Sequence, residues 1–91
     1  MKQTNVSIGA TSATVLAEDA EKHLDYILIQ NTHPSQILYV RLDGATATAA
    51  NGIKISAGES YEHHYANPTQ NDITAIASGA STTVIVAYEL S

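Results

Sequence analysis

The sequence predicts an all-β domain, an antiparallel β-sandwich or jelly roll of about eight short strands. Three observations carry that expectation. Apolar and polar residues alternate with period two in short segments separated by turn residues, whereas helical periodicity is weak throughout. Phe, Trp and Cys are absent and the one Met stands at position 1, so Ile, Val, Leu, Ala and Tyr must build the core, a palette suited to pleated sheets. Finally, 91 residues with 44% apolar and 14% charged side chains support one core and leave no room for a second. Residues 1–91 are therefore read as a single β-sandwich domain.

The first extended segments are Thr4 to Ile8 and Ser12 to Ala17, joined through Gly9-Ala10-Thr11 as a short hairpin. Glu18-Asp19-Ala20-Glu21-Lys22 is too short to hold a helix alone and is read as a loop. Leu24 to Gln30 is apolar on both faces in its middle, which predicts a central strand. Asn31-Thr32-His33-Pro34-Ser35 turns the chain, because proline fixes φ and Asn and Ser bond to nearby backbone. In the strand from Gln36 to Leu42, Leu38, Val40 and Leu42 face inward while Ile37, Tyr39 and Arg41 share the other face.

Asp43 to Gly52 is rich in small residues and bracketed by turn signals, the pattern of a long surface loop. Ile53 and Ile55 alternate with Lys54 and Ser56, and Ala57-Gly58 turns into Glu59 to Tyr65, which reads as a hairpin. After Asn67 to Asn71 come strands from Asp72 to Ser78 and from Thr82 to Leu90, split by Gly79-Ala80-Ser81. The expected core is Tyr26, Leu28, Leu38, Val40, Ile53, Ile55, Ile73, Val84 and Val86.

The formal charge of -5 and the scattering of Lys2, Lys22, Arg41 and Lys54 argue against nucleic acid as a partner. No apolar run approaches a signal-peptide core or a membrane span, so a soluble protein made in the cytoplasm, with no membrane partner, is expected. Without cysteine there are no disulfides, thiolate metal ligands or thiol nucleophiles.

His63-His64 is the obvious place to look for a metal, but successive strand residues point to opposite faces and cannot readily share one ion. Glu18, Asp19, Glu21 and Asp25 lack the glycine and alternate-ligand spacing of a calcium loop and read as a solvated edge. There is no Gly-x-Ser-x-Gly elbow and no glycine-rich phosphate loop before a helix, so no catalysis, metal or cofactor is expected. Tyr61, His63 and Tyr65 share one strand face, where they either stack on a partner or sugar or simply cover the core.

The segments Leu24 to Thr32, Ile37 to Leu42 and Gly52 to Ser60 resemble those of small bacteriophage virion proteins, which are β-sandwiches or jelly rolls serving as head decoration (cement) proteins or as neck and tail accessories. The resemblance covers roughly the middle half of the chain; such proteins often carry Pro-Gly where Ala57-Gly58 stands here. It implies a non-enzymatic capsid decoration protein of the virion, assembled in the host cytoplasm, whose partners are the major capsid protein or another virion protein. A homo-oligomer, with a trimer favoured, is expected. The alternatives are a neck or tail accessory protein, or a small carbohydrate-binding module using Tyr61 and Tyr65. The expected contact elements are Lys2 to Ile8 and the Asp43 to Gly52 loop, and the expected contact residues are Val6, Ile8, Tyr39, Arg41, Thr46, Thr48, Tyr61 and Tyr65.

Overall fold

A computed structural model describes residues 2–18, 22–69 and 71–91. Eight strands follow one another: β1 (Lys2–Ile8), β2 (Ala13–Leu16), β3 (Leu24–Asn31), β4 (Leu38–Arg41), β5 (Ile53–Ile55), β6 (Ser60–Thr69), β7 (Ile73–Ala77) and β8 (Thr82–Leu90). They form two four-stranded sheets, ordered β1-β8-β3-β6 and β2-β7-β4-β5, with every pairing antiparallel. The pairs nest: the first strand lies beside the last, the second beside the seventh, the third beside the sixth, and the fourth beside the fifth. This is the winding of a jelly roll, which settles the choice between the two expected architectures.

Nesting also overturns both expected hairpins. β1 and β2 lie in different sheets, as do β5 and β6, and of strands adjacent in sequence only β4 and β5 pair. The turn signals were real, but they carry the chain from sheet to sheet: Gly58 adopts φ 78 and its N–H donates to Asn31 O at 2.9 Å, tying the crossover to the end of β3.

The core lies between the sheets. Leu38 and Val40 of β4, Ile55, Ile73, Val84 and Val86 are buried as expected, joined by Ile8, Val15, Leu24, Ile27, Ile29, Ala75 and Ala77. Three expected core residues belong elsewhere. Tyr26 and Leu28 are only half-buried, because Ile27 and Ile29 take the inner face of β3 and a strand's neighbouring residues point outward. Ile53, at the start of the three-residue β5, is 36% exposed where the smaller sheet ends. Leu42, also expected inward, lies just past β4 and is partly buried.

A buried polar residue organises one end of the roll. Asn31 is fully buried; its Nδ2 donates to Gln36 O at 2.8 Å and Ile55 O at 3.1 Å, and its Oδ1 accepts from His33 N–H at 3.1 Å. Beside it, the Gln36 side-chain amide meets the hydroxyl of buried Thr82, which also reaches Gly79 O at 3.2 Å.

β6 continues past its expected end at Tyr65 to Thr69 through Pro68. An edge strand tolerates this proline, and the register against β3 jumps there, from Tyr26 opposite His64 to Leu24 opposite Thr69. Of the expected acidic loop, Asp19, Ala20 and Glu21 lie outside the described residues, as does Gln70.

Candidate interaction surface

The outer face of the larger sheet is built in rows across its four strands. One row runs Gln3, Ala87, Leu28, Glu62 and the next Asn5, Ile85, Gln30, Ser60. Tyr26, Leu28 and Ile85 are half-buried, and with Ala87, which lies buried among them on the same face, they make an apolar strip between polar borders. At one end the strip meets Ser7, Thr83 and Thr32, where the Thr32 hydroxyl reaches Thr83 Oγ1 at 2.8 Å. A cleft of about 420 Å³ opens there, lined by residues including Asn5, Ser7, Thr32 and Ile85. At the other end Tyr26 donates its hydroxyl to a Glu62 carboxylate oxygen at 2.8 Å, and its ring lies 4.6 Å from that of His64. The bond to Glu62, aided by desolvation and by the carboxylate's charge, holds the phenol above its ordinary pKa.

On the smaller sheet, Tyr39 and Arg41 are half-buried on the outer face, opposite Ile76 and Thr74. The adjoining loop, residues 43–52, is long but ordered by its own bonds. Asn51 Oδ1 accepts from Thr48 N–H at 2.8 Å, Gly52 N–H donates to Thr48 O at 3.0 Å, and Thr74 donates to Ala45 O at 2.6 Å. A side chain at Gly52 would stand 2.7 Å from Tyr39 Cβ, so only glycine lets the loop close over that ring's stem. Ala47 is buried beneath the loop, whereas Thr46 and Thr48 are exposed. Arg41 grips Asp43 with two nitrogens, at 3.1 and 2.5 Å. These bonds, with the Ala45 N–H, hold the Asp43 carboxyl below its usual pKa, and the same contact raises the Arg41 guanidinium. Asp43 and Arg41 also border a cleft of about 210 Å³ over Val40, Leu42 and Ile53.

Tyr61 and His63 stand opposite Ile29 and Ile27, on the inner face of the larger sheet's edge. Their rings stack at 6.4 Å, and Tyr65 meets His63 edge-on at 4.5 Å. Tyr61 and Tyr65 pack against the core, and burial raises the Tyr65 phenol, whose oxygen is enclosed without a hydrogen-bond partner among the described residues. His64 points to the other face, so the adjacent imidazoles diverge as strand geometry requires.

Of the residues expected to touch a partner, Thr46 and Thr48 are open to solvent, and Val6, Tyr39, Arg41, Tyr61 and Tyr65 are half-buried. Ile8 is 1% exposed and belongs to the core, because it ends β1 opposite buried Thr82. The apolar strip of Tyr26, Leu28, Ile85 and Ala87 was not anticipated, although the two-sided apolar character of β3 was its signal.

Fold and faces together define a small antiparallel jelly roll with broad sheet surfaces. No known protein family matches the chain, and no curated protein is similar to it in sequence. Among solved structures it is similar in fold to PirA, with a TM-score of 0.58 and 13% identity over 96% of this chain and 93% of that one. It is similar also to a structure from Bacillus endospore appendages described as disulfide-linked pili, with a TM-score of 0.58 and 18% identity over 99% of this chain and 85% of the other. A de novo designed double-stranded β-helix matches over the full length of both chains at a TM-score of 0.50 and 16% identity. At such identities the likeness is one of fold.

Proposed function

We propose that this chain is a non-enzymatic structural subunit that docks onto a larger assembly, and that the assembly is a phage head, which it decorates. The observation that carries the reading is the outer face of the larger sheet, where Tyr26, Leu28, Ile85 and Ala87 form an apolar strip across two central strands with polar residues on both sides. An apolar centre within a polar rim is the anatomy of a protein-binding patch. The resemblance of Leu24 to Thr32, Ile37 to Leu42 and Gly52 to Ser60 to virion proteins supports the head as the partner, and the fold shared with a pilus protein agrees with an assembling role. Bound across neighbouring shell subunits, the protein would favour the assembled state by mass action, with no bond made or broken.

The sugar-binding alternative draws less support, because Tyr61 and Tyr65 pack against the core instead of standing clear as a stacking platform. The test is to mix purified protein with heads lacking it, then measure occupancy by cryo-microscopy and the temperature of DNA release. Binding that raises the release temperature, and that Leu28→Lys abolishes without unfolding the protein, is expected. Absent binding would turn the reading to the neck or tail.

A further inference from the structure

We infer that β1 is an open pairing edge, and that its occupant is β1 of a second copy of this chain, in antiparallel register centred on Asn5. Two four-stranded sheets have four edges, and natural edges are blunted by shortness, bulges, proline or charge. Three of these are. β5 has three residues, β2 has four and a register shift between Thr14 and Leu16, and β6 carries Glu62, Pro68 and its own shift against β3. β1 has only the single charge of Lys2, at its very end, and none of the others. It pairs with β8 in unbroken register from Lys2 to Ile8, contains no Pro, Gly, Asp or Glu, and is exposed at Lys2, Gln3, Thr4, Asn5 and Ser7. Among the described residues, no strand lies on its far side.

The strand's charge pattern selects the occupant. β6 carries Glu62 and follows Glu59, and the chain as a whole bears -5, so most approaches between copies bring acid to acid. β1 carries a single charge, Lys2, at one end. Antiparallel pairing about Asn5 sets Lys2 against Ile8 of the other copy, Gln3 against Ser7 and Thr4 against Val6, so the two lysines lie at opposite ends and no like charges meet. Backbone groups of both strands gain partners, and a twofold axis closes the contact on itself. The result is a dimer, not the trimer expected from the resemblance, and it stands whether or not a phage head is the larger partner.

The chain has no cysteine, so introduced thiols report the register directly. Directly opposed residues have Cα atoms about 4.5 to 5.5 Å apart, within disulfide reach, whereas a residue two places from the axis lies about 14 Å from its own mate. Purified Asn5→Cys, Gln3→Cys and Ser7→Cys proteins, each at an exposed site and each checked for an unchanged melting curve, are oxidised with oxygen and copper phenanthroline. Asn5→Cys should form a covalent dimer at least tenfold faster than either other variant alone, and mixing Gln3→Cys with Ser7→Cys should restore fast linkage. Equal rates in all three, no dimer from Asn5→Cys, or preferential linkage of Asn5→Cys to a Glu62→Cys protein would overturn the inference.

Discussion

The carboxamide of Asn31 donates to the main-chain oxygen of Ile55 at 3.1 Å, in an interior where the side chain is wholly shut off from water. The same group binds Gln36 O and receives His33 N–H, so one side chain fixes the end of β3, the following turn and the end of β5. Asn31→Ala removes all three bonds and strands buried backbone groups, which should cost about 2 to 4 kcal/mol. Asn31→Asp should cost more, because a buried carboxylate would face two carbonyl oxygens. Urea unfolding measures both, and a loss under about 1 kcal/mol for Asn31→Ala would deny the hub its structural role.

Two aliphatic residues on neighbouring strands should respond very differently to the same change. Val40 is fully buried and Ile53, its register partner, is 36% exposed. Val40→Asp should cost several kcal/mol by burying an unpaired charge, while Ile53→Asp should stay near about 1 kcal/mol. The two share one face, so thermal melts of the variants side by side test how far the core's cover extends to the β5 edge.

Tyr65→Phe should leave stability unchanged or raise it by up to about 1 kcal/mol, since the enclosed hydroxyl has no bond to lose. A marked fall in melting temperature would reveal a partner for that oxygen.

The Asp43 carboxyl has a folded pKa below its unfolded value, so its link to Arg41 contributes above the unfolded pKa and is lost as pH falls through the folded one. Arg41→Gln should therefore move the Asp43 titration midpoint upward, towards the ordinary carboxylate value. Side-chain carboxyl NMR between pH 2 and 6, a window on the order of the usual Asp range, reads this directly; an unmoved midpoint would show that the guanidinium does not govern it.

Strand positions were legible in the sequence because alternation and turn residues are local signals. The eight expected segments overlap the eight strands, and β3 is central, as its apolar middle required. Pairing was not legible: Gly9 and Gly58 mark turns, but a turn does not say whether its strands bond to each other or pass to opposite sheets. Which face of β3 turns inward was ambiguous for a related reason, since Leu28 is as apolar as Ile27 and Ile29, Tyr26 adds a large ring, and only the other sheet decides between the two sets. At the candidate surface, alternation placed Tyr61, His63 and Tyr65 together, yet whether that face looked outward depended on the same unseen pairing.

β8 lies between β1 and β3, so the larger sheet stays split until β8 slots into the gap. On the ribosome, β1 emerges well before its partner β8 and must wait with that flank bare while the six strands between them are made. Local contacts cannot shorten that wait, and folding of so non-local a pairing is expected to be slow. A strand this polar, carrying Gln3, Thr4, Asn5 and Ser7, is suited to it, because water can solvate it meanwhile.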